Sequence, residues 1–303
     1  MSPSPLAALV VLLFAAPVLP AVAARVTARL TGRRGAPLLQ PYRDLARLAR
    51  KGVVFSRSTT WVFGLAPLGV VMTALLASLF LPLDGREAVV SFPGDLVAFA
   101  ALLALGRFAL VLGGLDTGSS FEGMGAGREV AFASFAEPAL YAGFLALVLA
   151  TGQTSLAGML GAPLGAAGSR VAAPAVMVAV TWFVVMLAEA GRVPVDDPAT
   201  HLELTMIHEV IVLDHSGPDL ALLLYGGALK FALFAALVVG VLLPRASLPG
   251  WASVTLLLAG ALAVAALVGV LESVMARLRL AAVPQLLAAA AALSALGVIL
   301  LLR

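Results

Sequence analysis

The chain has 303 residues, of which 62% are hydrophobic and 12% charged, with a formal net charge of +3 and a mean hydropathy of +1.08. Soluble domains are nearer half apolar and carry about twice that share of charge, so a soluble globule is excluded and a polytopic membrane protein implied. Cysteine is absent, which excludes disulfides, thiolate metal sites, iron–sulfur ligation and cysteine nucleophiles in this chain.

A membrane span needs roughly 20 apolar residues. Eight stretches qualify, at residues 6–24, 61–83, 96–112, 130–150, 171–188, 220–243, 254–271 and 283–302. The expected fold is all-α and polytopic: a single integral membrane domain over 1–303, with amphipathic helices on the cytoplasmic side. Its cytoplasmic loops are expected at 25–60, 113–129, 189–219 and 272–283. There is no convincing internal repeat, so an inverted-repeat transporter is not indicated. The first apolar run has its charges behind it instead of ahead, unlike a secretory signal. It reads as a first span with the N-terminus outside, and eight spans then return the C-terminus to the outside.

Arginine supports this orientation. The first inner loop holds Arg25, Arg29, Arg33, Arg34, Arg43, Arg47, Arg50, Lys51 and Arg57, and later inner loops and their edges add Arg107, Arg128, Arg192, Arg277 and Arg279. Inner loops of membrane proteins carry this excess. The pI near 9.8 therefore reflects membrane-flanking arginine and not nucleic-acid binding. Within the first loop, residues 41–51 place Leu45, Leu48 and Ala49 on one helical face and Arg43, Arg47, Arg50 and Lys51 over the other. This is a basic amphipathic helix in the membrane interface. It serves either as an anchor to lipid headgroups of the bilayer or as a docking surface for a soluble partner.

Residues 113–127, rich in Gly, Ser and Thr, read as a loop leading to the fourth span. Arg128 and Glu129 stand at its mouth. Glu137 lies eight residues on, roughly 12 Å deeper. A carboxylate at that depth must pair, protonate or face water. It is either a structural hydrogen-bonding group or a working one.

The stretch 188–230 concentrates charge: Glu189, Arg192, Asp196, Asp197, Glu203, Glu209, Asp214, Asp219 and Lys230, with all three histidines, His201, His208 and His215. Glu189 and Arg192 are spaced to pair on one helical face. Asp197-Pro198 predicts a helix start and Gly217-Pro218 a stop. The helix between would carry His201, Thr205 and His208 on one strip, with Glu209 beside it. His208-Glu209 has no second histidine four residues on, so the zinc-protease pattern fails. His201 and His208 are two turns apart, too far for a tight chelate, and no metal is expected. No nucleophile elbow or phosphate-binding loop occurs. Carboxylates and imidazoles reaching into the bilayer suit proton relay, because histidine titrates near neutrality and burial pushes carboxylates towards it. Lys230 lies roughly 16 Å into its span, too deep to snorkel. A buried carboxylate is the natural partner, Glu137 being one candidate. In the last inner loop, Arg277 and Arg279 either satisfy the positive-inside pattern or contact the acidic central stretch.

These residues carry a resemblance. Ala188-Glu189-Ala-Gly-Arg192-Val-Pro194-Val-Asp196 and His215-Ser216-Gly217 resemble the membrane subunit shared by respiratory complex I, where it is subunit 1, and the membrane-bound NiFe hydrogenases. The run from Asp197 to Glu209 is more similar to the hydrogenase-4 and formate hydrogenlyase branch. So are Leu38-Leu39-Gln40-Pro41 with Asp44, Gly127-Arg128-Glu129-Val130, and Glu272-Ser273 with Met275-Ala276-Arg277. The likeness covers nearly the whole chain.

The resemblance implies a membrane anchor and energy-coupling subunit, docking a peripheral redox arm and relaying protons or charge. It puts the NiFe centre and iron–sulfur clusters in partner subunits and no redox cofactor in this chain. The implied partners are hydrogenase-like large and small subunits, an iron–sulfur subunit and antiporter-like membrane subunits, in the cytoplasmic (inner) membrane of a prokaryote. The relay residues on this reading are Glu129, Glu137, Glu189, Arg192, Asp196, Glu203, His208, Glu209 and Lys230. The docking residues are Arg43, Arg47, Arg50, Asp197, His201, Arg277 and Arg279. Two stretches depart from the quinone enzymes: Gly32-Arg-Arg-Gly-Ala-Pro37 before Leu38, and His201-Leu-Glu203 in place of an acidic loop. Both weigh against quinone, which stays the alternative acceptor. A stand-alone cation/proton transporter using the same acids is the alternative from another class.

Overall fold

The computed structural model describes residues 5–161, 169–196 and 206–302. Its helices are α1 (Pro5–Ala15), α2 (Val18–Leu30), α3 (Gln40–Ala49), α4 (Trp61–Ser78), α5 (Asp95–Asp116), α6 (Ser120–Thr151), α7 (Leu156–Gly161), α8 (Ser169–Glu189), α9 (His208–Ile211), α10 (Gly217–Leu242), α11 (Gly250–Val274) and α12 (Val283–Leu301). No strand occurs among the described residues. Among the described residues, eight segments are long and apolar enough to cross a membrane, and they coincide with the eight expected spans. The chain is an all-α, multi-pass membrane protein.

The first span is broken. Pro17 has no N–H to continue the ladder. Ala16 N–H still reaches the Leu12 carbonyl at 2.8 Å, but Leu19 N–H bonds the Ala16 carbonyl at 3.3 Å before α2 sets off.

One apolar core draws buried residues from all eight spans, with Trp182, Phe99, Phe144, Phe231 and Phe234 among its largest side chains. Its centre is α10, apolar but for Asp219, Tyr225 and Lys230 and packed against α3, α4, α8 and α11, as a helix with so little polar surface requires. Close packing uses glycine where it must. A Cβ on Gly143 would meet Trp182 Cε2 at 2.9 Å, and the indole N–H donates to the Leu140 carbonyl at 3.3 Å.

Three local expectations are corrected. Residues 113–129 are mostly helix, with only 117–119 joining α5 to α6. Their glycines serve packing: a Cβ on Gly125 would meet Ile211 Cγ1 at 2.9 Å and the Ile207 carbonyl at 3.1 Å, so the glycine lets α9 lie against α6. The helix expected from 197 to 217 is, among its described residues, the four-residue turn α9 alone. Asp196 captures the Ile207 and His208 N–H groups at 3.0 and 3.1 Å, and Glu122 takes the Asp214 N–H at 3.1 Å. These three N–H groups are thus satisfied by carboxylates, while the Val212 and His215 N–H groups bond the Glu209 and Val212 carbonyls within the segment. Gly217-Pro218 starts α10 instead of stopping a helix, with proline in the first turn where its missing N–H costs nothing.

The end of the bundle opposite the first arginine-rich loop is closed by two arginines that reach across each other. Arg245 donates to the Leu83 and Pro82 carbonyls at 3.0 and 3.3 Å. Arg86 donates back to Ala246 and Leu248 at 3.2 and 3.1 Å. Burial pushes the Arg245 guanidinium down to about 10, with Asp84 nearby opposing the shift.

Candidate functional site

The site is built around Arg107, on α5. Its guanidinium bonds the Glu137 carboxylate on α6 and the Glu189 carboxylate at the end of α8. Its Nε lies 3.6 Å from Glu129 Oε1, also on α6. Lys230 of α10 reaches Glu189 Oε2 at 3.3 Å. Glu129 continues the chain of charges to His208, whose Nε2 is 3.3 Å away. His208 Nδ1 lies 3.6 Å from Asp196 Oδ2, and Asp196 Oδ1 lies 3.2 Å from Arg277 Nη2. Signs alternate along this row, as buried charges require. The Arg107 side chain is 9% exposed, whereas that of Glu137 is 41% exposed, so the row ends at the lateral surface of the bundle.

The end of α8 makes this assembly. Arg192 N–H bonds the Leu187 carbonyl and Gly191 N–H the Ala188 carbonyl, a Schellman termination with Gly191 at φ +58°. Glu189 is therefore the last helical residue, and the chain turns back at once through Val193, Pro194 and Val195, all buried. The turn delivers Asp196 to His208. A Cβ on Gly191 would stand 2.8 Å from His208 Nδ1, so glycine is required twice over, for the left-handed backbone and for the imidazole. Leu278 N–H bonds the Pro194 carbonyl at 2.9 Å, which seats the last loop and Arg277 on the same turn.

Burial opposes a charge on His208. The carboxylates of Glu129 and Asp196 outweigh it and Lys230, and raise the imidazole above its ordinary 6.5. Burial likewise opposes ionised Asp196, but His208, the backbone and Arg277 hold that carboxyl below its ordinary range.

Arg192 does not pair with Glu189. The helix has ended between them, and Arg192 Nη1 lies 3.2 Å from Glu272 Oε1 with its guanidinium 5.9 Å over the Phe231 ring. Thr27 donates to Glu272 Oε2 at 2.9 Å, tying α2 to this second pair. Lys230 does not meet Glu137, because Glu189 stands closer and Arg107 holds Glu137. Arg43, Arg47 and Arg50 are exposed on or just after α3, away from the row, with Arg47 2.8 Å from Asp44. Arg279 is exposed. Asp197, His201 and Glu203 lie outside the described residues. Arg107 is the central residue that sequence reasoning missed. Its signal is the same as that of Lys230, a cation inside an apolar span: it stands five residues inside the expected end at 112, unlike the loop arginines.

The row borders a cavity of about 270 Å³. Arg107, Glu189, Asp196, His208, Glu209 and Lys230 line its polar side; Pro20, Val70, Leu103 and Leu223 are among its apolar walls. The arrangement can hold a proton at His208, between Glu129 and Asp196, and sets Glu129, Glu137 and Glu189 around one cation, Arg107.

The family profile described as NADH dehydrogenase matches residues 4–302. Hydrogenase-4 component C of Escherichia coli (strain K12) is 34% identical over 239 residues, 79% of this chain and 74% of that protein. Formate hydrogenlyase subunit 4 of the same strain is 32% identical over 282 residues, 91% of each chain. In fold, the chain is similar to one from the membrane-bound sulfane sulfur reductase, an archaeal respiratory membrane complex, with a TM-score of 0.82 at 20% identity over 97% and 98% of the two chains. A profile matched over residues 4–302, with relatives 34% and 32% identical that are covered over more than two thirds of their length, shows the family: this chain is a membrane protein of the NADH dehydrogenase family, that of complex I subunit 1.

Proposed function

We propose that the chain is the membrane anchor and energy-coupling subunit of a respiratory-type complex, in the cytoplasmic (inner) membrane of a prokaryote with both termini outside. It docks a peripheral NiFe-hydrogenase-like arm, made of large, small and iron–sulfur subunits, and passes protons or charge to antiporter-like membrane subunits beside it. The NiFe centre and iron–sulfur clusters belong to those partners. Similarity to hydrogenase-4 component C and formate hydrogenlyase subunit 4 supports this choice of arm.

The observation that carries the relay is the continuous row from Asp196 through His208 and Glu129 to Arg107, where it forks to Glu189 and to Glu137. It runs from the turn beside the cavity to the lateral surface. His208 Nε2 takes or gives a proton beside Glu129. Arg107 stays charged and moves no proton; it makes the three carboxylates compete for one cation, so that neutralising one tightens its hold on the others. Lys230 does the same for Glu189. Arg192 and Glu272 hold the neighbouring turn against α2. Glu209, Glu203, Asp197 and His201 complete the relay and docking sets of the central stretch.

A second reading is favoured by the cavity. Its apolar walls and charged end suit the head of a quinone, and an arm that reduces quinone would use it so.

The test is gentle purification from native membranes, with mass spectrometry of co-purifying chains and a nickel and iron assay, followed by E189Q and E137Q in the intact complex. Hydrogenase-like subunits with nickel, and ion movement uncoupled from turnover in both variants, are expected. The arm without nickel but with extractable quinone points to the second reading. Coupling that survives both substitutions leaves an anchor without a relay. A chain that purifies alone and moves ions in vesicles overturns the proposal in favour of a transporter.

A further inference from the structure

The break at Pro17 leaves two carbonyls without helical donors. In an unbroken helix the N–H of residue 17 would bond Leu13 and that of residue 18 would bond Phe14. Pro17 has no N–H, and the turn after it removes the second bond. A carbonyl left without a donor in the apolar layer is costly. Both are taken by tyrosines from other elements: Tyr225 of α10 donates to the Leu13 carbonyl at 3.2 Å, and Tyr42 of α3 donates to the Phe14 carbonyl. The chain has three tyrosines, and two of them meet at this one break. Phe14 is 71% exposed, and its carbonyl ties it to the bundle.

The break borders the cavity. Pro20, one turn beyond it, is part of the wall, as are Leu220, Leu223 and Leu224 of α10. The position of the first span against α10 therefore sets one side of the opening. The two tyrosines are mounted differently. Tyr225 sits on the most buried span, a fixed post. Tyr42 sits on a ten-residue helix whose Leu45 and Leu48 are half-buried while Arg43, Arg47 and Arg50 face outward. Tyr42 is a hydrogen-bonded link between that helix and the first span.

We propose that Tyr42 and Tyr225 clamp the Pro17 break, and that a partner with an acidic surface seated on α3 changes the side opening of the cavity through Tyr42. The inference rests on the docking half of the function proposed above and uses no relay residue.

Because the chain has no cysteine, Gly227→Cys introduces a single thiol in this subunit. Gly227 is exposed, lines the cavity, and a Cβ there meets nothing within 4 Å. The complex would be isolated in native membranes, and the rate at which N-ethylmaleimide labels this subunit measured with the peripheral arm present and after its removal. Removal is expected to change the rate at least threefold. Tyr42→Phe, which keeps the ring and loses the donor, is expected to abolish that difference. Tyr225→Phe is expected to shift the rate in both states. An arm effect that survives Tyr42→Phe overturns the proposal, as does an arm whose removal leaves the rate unchanged; in that second case docking itself still stands. Failure to find any arm overturns both readings.

Discussion

Lys230 Nζ and Glu189 Oε2 lie 3.3 Å apart, joining α10 to the last residue of α8 where Arg107 already holds the other carboxylate oxygen. Removing one partner of a buried pair costs about 3–5 kcal/mol when the other charge is left alone; here Arg107 still holds Glu189, so removing Lys230 is expected to cost less. Lys230→Met is expected to lower the thermal unfolding temperature in detergent clearly. Adding Glu189→Gln is expected to restore part of the loss, because it removes the carboxylate that faced Lys230, and the double-mutant cycle reads the coupling. Additive losses would refute the pairing.

Gly191→Ala tests the turn. A non-glycine residue at φ +58° costs about 1–2 kcal/mol in the left-handed region, and the added methyl must also displace His208. The expected result is a larger loss of stability than Gly127→Ala, where a Cβ meets nothing within 4 Å and φ is ordinary. Equal unfolding temperatures for the two variants would contradict this account.

His208 gives stability a slope on the alkaline side. Its folded value is raised above 6.5 by Glu129 and Asp196. The stabilisation is fully present below 6.5 and is lost as pH rises through the raised value. Unfolding temperature followed from about pH 6 to 9, the range around an ordinary imidazole and above it, is expected to fall in the parent chain and to flatten in His208→Gln. A parallel fall in both proteins would remove His208 as the cause.

His215 has the opposite sign. It is buried, stacks on Phe63 with ring centroids 3.9 Å apart, and both its nitrogens lack hydrogen-bond partners among the described residues. Burial pushes it down to about 4. The unfolded chain binds a proton near 6.5 and the folded chain does not, so this contribution is present above 6.5 and lost as pH falls towards 4. His215→Phe keeps the stack and is expected to abolish that acid-side loss, read from unfolding temperatures between about pH 4 and 7.

The spans were legible because each is a long apolar run, and a bilayer leaves a chain few other ways to place one. The pairings were not. Whether Lys230 meets Glu137 or Glu189 depends on how α10, α6 and α8 sit around Arg107, and no local spacing encodes that. Glycine has two meanings that sequence does not separate: in 113–127 it looks like loop, yet Gly125 is a contact surface for α9. Asp196 is legible as a charged residue of the site but not as the group that satisfies the backbone of Ile207 and His208, which is why a helix is expected over residues 206–217 where, among these described residues, a single turn stands.

The crossed arginines at the far end of the bundle have a consequence for redundancy. Each loop supplies both the donors and the acceptors of the other, through Arg86 to residues 246 and 248 and Arg245 to residues 82 and 83. Losing either arginine leaves the two bonds made by its counterpart. The α4–α5 and α10–α11 connections are thus held by a fastening with a spare, and only the double replacement parts them.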